Sequence, residues 1–203
     1  MLCERVVAGI RYPRSAEKLE KDTPSRAPII LSFYIMQTES ESKMKKELEL
    51  AIALRTTNKL EDAEKIFNNL STKYPKNANI QYHFAWLCDI MDREFEAVKL
   101  YEKSIRLGLK GANLKGCLLG LGSSYRNIGK LKQSLKVLES AEEQFPECFE
   151  FKIFRSMTLF DQGEYNKAFQ ILLDTITKIN KNKGVENYKK AIEYYAKQYG
   201  KKF

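Results

Sequence analysis

Histidine is almost missing from this 203-residue chain: His83 is the only one. A lone imidazole excludes multi-histidine metal sites and most Ser-His or Cys-His catalytic arrangements. No partner motif accompanies His83, so it reads as a packed or surface side chain rather than a general base. Cysteine is sparse and scattered. Cys3, Cys88, Cys117 and Cys148 stand 85, 29 and 31 residues apart, so there is no close pair of the zinc or redox kind. The expectation is reduced, mostly buried thiols in a cytoplasmic protein. Long apolar runs are missing too. The longest, residues 29–36, contains a serine and falls far short of the roughly 20 residues that a spanning helix needs. It is a poor secretion signal as well, since polar QTESESK follows where a small-residue cleavage site belongs. No membrane partner is expected.

Charge of one sign is less abundant than the total implies. Lys and Arg number 35 against 26 Asp and Glu, a net charge of +9. Residues 1–43 carry 7 basic and 6 acidic side chains, residues 44–180 carry 21 and 18, and residues 181–203 carry 7 and 2. The middle of the chain is therefore nearly balanced, and more than half of the excess sits in the last 23 residues. Catalysis finds no support, because nothing assembles a nucleophile, a base and an orienting group. The glycine-bearing string GLGSSYRNIGK (120–130) lacks the preceding strand and the G-K-[ST] ending of a phosphate loop. No cofactor and no metal are expected. The pairs Glu142-Glu143 and Glu61-Asp62 read as solvated helix faces.

What the chain does have is an internal repeat. LEDAEKIFNNLSTKYP (60–75), EFEAVKLYEKSIRLGL (94–109), LKQSLKVLESAEEQFP (131–146) and EYNKAFQILLDTITKI (164–179) share one pattern. Their small-residue anchors, Ala63, Ala97, Ser134 and Ala168, step by 34, 37 and 34 residues. Four residues beyond each anchor lies Phe67, Tyr101, Leu138 or Leu172, on the same helical face. Upstream of each anchor runs a second helical pattern with its own small residue: Ala51, Ala85, Gly122 and Ser156. The turns TTNK, MDRE, NIGK and DQGE separate the two. Each unit is thus helix, tight turn, helix. Small side chains face each other where the helices cross, and one such hairpin cannot bury its apolar face alone, so the units must stack.

This pattern resembles the tetratricopeptide repeat, W-x-x-L-G-x-x-Y, then A-x-x-x-F, then P, over about 34 residues. The third unit matches best, with Leu118, Leu121, Gly122, Tyr125, Ser134, Leu138 and Pro146. Leu109 and Asn180 replace the closing proline in the second and fourth units, Arg155 stands where leucine is usual, and no unit has the signature tryptophan. The stretch 82–199 is further similar to a small bacterial family of these proteins, group 5, through LYEKSIRLGLKG (100–111), LLGLGSSYRNIGK (118–130) and EQFP (143–146). The implied fold is all-α: a right-handed helical-hairpin solenoid of about four repeats (44–77, 78–111, 115–148, 149–182) with a capping helix at 185–199. The cap carries Tyr188, Ile192, Tyr195 and Tyr199 on one side. Residues 200–203 form a basic tail. Residues 1–43, broken by Pro13, Pro24 and Pro28 and closed by TESESK, are expected to be poorly ordered. Met36 and Met44 precede the first repeat, and one of them is the expected natural start.

The resemblance implies protein binding and a concave groove lined by the first helix of each unit. Counting helical turns assigns to it Arg55, then Tyr82, Trp86 and Asp89, then Leu119, Ser123, Arg126 and Asn127, then Met157, Phe160 and Asp161. Trp, Tyr and Arg carry most of the binding energy at interfaces, and Asn and Ser can pair with an extended peptide's backbone. Tyr82 and Trp86 fit inter-repeat packing equally well, and Asn127 also fits a helix end. The clamp that some relatives use on chaperone tails is missing, with Leu48 and Ile52 in place of its Lys and Asn. The expected function is a non-enzymatic adaptor for a protein or peptide partner. The alternative is a nucleic-acid-associated regulator that uses the basic C-terminal tail.

Overall fold

The computed structural model describes residues 6–7, 10–11, 27–179 and 183–198. The chain divides into two compact units, Met1–Glu49 and Leu50–Phe203. In the first, β1 (Val6–Val7) pairs antiparallel with β2 (Ile10–Arg11), and α1 (Ala27–Thr56) begins. This helix corrects the expectation of poor order up to residue 43. Pro28 does not interrupt it, because it sits in the first turn, where the backbone N–H has no helical acceptor and the ring already holds a helical φ. The polar stretch after it does not break the helix either: the Thr38 hydroxyl donates to the Ile35 carbonyl at 2.8 Å, within the same turn. The remaining residues of the N-terminal extension, and the tail beyond 198, lie outside the described residues.

The second unit takes up the end of α1 and continues through α2 (Leu60–Lys73), α3 (Ala78–Ile90), α4 (Glu94–Arg106), α5 (Gly111–Asn127), α6 (Leu131–Gln144), α7 (Phe149–Asp161), α8 (Tyr165–Ile179) and α9 (Lys183–Gln198). From α2 onward each helix packs on the next. In addition α3 packs on α5 and α5 on α7. Among the described residues, no two second helices of consecutive hairpins pack to that extent. First helices that touch each other while second helices are held apart curve the stack toward the first helices. The architecture is an all-α solenoid of helical hairpins.

The small-residue anchors explain the close packing. Ala51, Ala63, Ala85, Ala97, Gly122, Ser134, Ser156 and Ala168 are all buried, as are Phe67, Tyr101 and Leu138. In the third hairpin the Ser134 hydroxyl donates to the Gly122 carbonyl at 2.7 Å, so even the polar anchor is satisfied across the crossing. Phe67 and Phe84 stack at 5.8 Å between the first two units, and Leu138, Ala141 and Phe151 form a core cluster between the third and fourth.

The turns repeat as faithfully. Asn58, Asp92, Gly129 and Gly163 occupy equivalent positions with φ of 59°, 57°, 76° and 84°. In each, the following N–H reaches back five residues: Lys59 to Leu54, Arg93 to Cys88, Lys130 to Tyr125 and Glu164 to Leu159, at 2.8–2.9 Å. This left-handed closure satisfies carbonyls that the helix end would otherwise orphan. The second unit uses it once more at its far end. Gly108, at φ 83°, lets Leu109 N–H reach the Ser104 carbonyl at 3.3 Å, and Leu109 turns inward and is buried. The missing proline is thereby replaced by a glycine stop.

At the C-terminal end α9 packs on α8. Ile192 is half-buried there, whereas Tyr188 stays exposed instead of joining the apolar side. Tyr195 and Tyr199 lie outside the described side chains. No described helix is long and apolar enough to cross a membrane.

Candidate functional site

The expected groove residues separate into three groups. The first is a cluster where the end of α1 meets α3. Arg55, from the last turn of α1, is 5% exposed, and its guanidinium lies 4.0 Å above the Trp86 ring. One of its terminal nitrogens donates to the His83 carbonyl at 3.0 Å and stands 3.5 Å from His83 Nδ1. Trp86 is 42% exposed and forms the open lid of this stack. Tyr82 lies beneath, its ring 4.6 Å from His83, 6.1 Å from Trp86 and 6.3 Å from Tyr101. It is itself 5% exposed. Tyr82 therefore packs between units, while Trp86 one turn later faces solvent. The cause is Gly116 on α5, where a Cβ would collide with the Tyr82 hydroxyl. Glycine there lets the phenol sink into the neighbouring helix.

The second group turns inward. Asp89 accepts from the Tyr101 hydroxyl at 2.8 Å and from the Ser124 hydroxyl at 2.7 Å, tying α3 to α4 and α5. Burial raises its pKa and these two hydrogen bonds oppose the rise. Leu119 packs against the Leu138 cluster. Asp89 and Leu119 thus serve inter-unit packing. Ser123 is half-buried on α5.

The third group lies between α5, α7 and α8. Arg126 Nε donates to Asp161 at 2.5 Å, linking consecutive units. Both residues, with Met157 and Phe160, line a cavity of about 360 Å³ that Tyr165 and Phe169 complete. Phe160 is 60% exposed and meets Tyr165 edge-on at 4.9 Å. Asn127 is exposed and donates weakly to Glu94 at 3.4 Å. Tyr165, Phe169 and the positioning role of His83 were not identified from the sequence. Exposed aromatics on both sides of the DQGE turn were the available signal.

No cluster of three His, Cys, Asp or Glu side chains among the described residues is placed to hold a metal ion. Burial and the Arg55 charge push the His83 pKa down to about 4. The unfolded chain therefore binds a proton that folded His83 refuses, and stability should rise from about pH 4 to pH 6.5. A shift of this size is worth about 3 kcal/mol when fully expressed, and solvent access to the half-buried ring lowers this to about 2 kcal/mol. Denaturant unfolding near pH 4 and near pH 7 should show this difference shrinking in His83→Gln.

Comparison with known proteins places the architecture. The family model described as "Tetratrico peptide repeat" matches residues 78–199, more than half of the chain. Human mitochondrial import receptor subunit TOM70 is 27% identical over 106 residues, covering 50% of this chain but only 17% of the receptor. Among solved structures, YrrB, described as a repeat protein with an unusual peptide-binding site, superposes with a TM-score of 0.60 at 19% identity, covering 82% of this chain and 84% of its own. A thermophilic repeat protein from Thermus thermophilus, TTC0263, gives 0.56 at 18% identity, covering 75% and 85%. With its buried anchors, repeated left-handed turns and matching family model, the chain belongs to the tetratricopeptide repeat family.

Proposed function

We propose that this protein is a non-enzymatic adaptor that holds a peptide segment of a protein partner on the concave side of its solenoid. The carrying observation is Trp86: an indole left 42% exposed on the first helix of the second hairpin, stacked on a nearly buried arginine. Exposed large aromatics pre-ordered by their neighbours are what binding hot spots require. Met157 and Phe160, beside the Arg126–Asp161 pair, extend the apolar surface two units further on. Similarity to TOM70 and YrrB supports an interaction module without identifying its partner.

Trp86 is the chain's only tryptophan, so its emission reports on this surface alone. Peptides selected by display against the full chain should shift that emission on titration. Trp86→Ala should weaken the same peptides about tenfold or more in calorimetry, while its melting temperature stays close to that of the parent. Peptides that bind the variant as tightly as the parent would exclude the concave surface as the site.

A further inference from the structure

Each hairpin hands one apolar side chain of its second helix to the first helix of the next unit. Phe67 stacks on Phe84 of α3 at 5.8 Å, Tyr101 lies against Gly120 of α5, and Leu138 clusters with Phe151 of α7. All three are sealed from solvent. Leu172 stands at the same place in the fourth hairpin, four residues past its anchor Ala168. Yet it is only half-buried, and it lines the cavity of about 360 Å³ with Met157, Phe160 and Phe169.

The cause lies in how α9 sits. α5 packs on both helices of the hairpin before it, α3 and α4, and α7 packs on both α5 and α6. Among the described residues, α9 packs on α8 without packing comparably on α7. It covers one wall of the α7–α8 crossing and leaves the other open, with Met157, Phe160 and Tyr165 exposed.

The rest of the solenoid shows what fits such an opening. In the two preceding units the equivalent place is filled by a helix lodged between two others. An extended segment would set its backbone N–H and C=O groups against apolar walls without partners, whereas a helix satisfies its own. Charge narrows the choice further. Residues 181–203, which include α9, carry 7 basic and 2 acidic side chains. A second copy of the chain would bring the same excess against it, while an acidic partner meets it with the opposite sign.

We infer that the opening between α7, α8 and α9 takes an acidic amphipathic helix of a partner protein, laid against α7 where α9 does not reach. This rests on the reading of the chain as a peptide-binding module, and takes from it Met157 and Phe160 but not Trp86. It adds the conformation and the charge of the occupant.

The test uses four fluorescein-labelled synthetic peptides of one length, read by anisotropy with the full chain. One repeats apolar residues at i, i+3, i+4 and i+7 opposite a glutamate face. The second keeps that period opposite a lysine face, the third scrambles the acidic composition to remove the period, and the fourth is the acidic helix with a central proline. The acidic helix should bind at least about tenfold more tightly than each of the others. Phe160→Ala should weaken it about tenfold or more, Phe160→Leu should retain most of the affinity, and Trp86→Ala should leave it unchanged. Should Phe160→Ala fail to fold, Met157→Ala supplies the same comparison. Equal binding of the four peptides, or preference for the lysine face, would overturn the inference. Weakening by Trp86→Ala but not by Phe160→Ala would move the peptide to the Trp86 surface, overturning this seat and leaving the groove reading in place. A concentration-dependent dimer in sedimentation that Phe160→Ala abolishes would make a second copy the occupant and overturn the acidic partner. If no peptide binds, the inference falls, and the display-selected peptides with Trp86→Ala still decide the groove reading.

Discussion

Replacing Tyr101 by alanine is expected to cost about 4 kcal/mol of folding stability, within the 3–5 kcal/mol typical of emptying a large aromatic site. Tyr101 is 1% exposed and is the largest fully buried side chain described. Its ring lies against Gly120, where a Cβ would come within 2.5 Å of the phenol. Its hydroxyl donates to Asp89 at 2.8 Å. The substitution therefore opens a cavity and deprives a half-buried carboxylate of one of two donors. Tyr101→Phe separates the two effects: it fills the space and removes only the hydrogen bond, for about 1–2 kcal/mol. Urea unfolding followed by circular dichroism gives both values. Equal losses in the two variants would mean that the hydroxyl, and not the ring, carries the site.

The Tyr101 site also shows what periodicity could and could not convey. The anchors and their partners four residues on were readable because both helices of every hairpin obey one spacing, and all eight small positions are buried. The left-handed turn residues were readable as turns, though only the backbone shows Asn58 and Asp92 doing the work of Gly129 and Gly163. The surface face was harder. Spacing places Tyr82 and Trp86 on one side of α3, but whether a neighbouring unit covers either depends on the opposing helix. Gly116 admits Tyr82 and leaves Trp86 outside. Arg55 was identified as a groove residue, but its burial and its stacking on Trp86 belong to tertiary packing, which no one-dimensional pattern carries. Helix α1 was missed from 27 to 43 because proline and a polar run were read as breakers, when a first-turn proline and exposed polar faces both suit a helix.

A tight packing constraint falls on Gly122, and Gly122→Val is expected to destabilise the solenoid by about 3 kcal/mol, at the upper end for overpacking a well-filled core. A Cβ there would lie 2.7 Å from both Cδ2 and Cγ of Leu138. Leu138 is fully buried in the cluster with Ala141 and Phe151, so it has no free volume to move into. The backbone is equally committed, because the Gly122 carbonyl accepts from Ser134 at 2.7 Å across the same crossing. Helix propensity alone predicts the opposite sign for Gly122→Ala, a gain of about 1 kcal/mol. A measured loss with alanine would show that contact with Leu138 outweighs propensity. Leu138→Ala supplies the decisive comparison. It should cost about 2–4 kcal/mol in the parent and clearly less when Gly122→Ala is already present, because each substitution makes room for the other. Strict additivity in thermal or urea unfolding would mean that the two helices do not meet at this point.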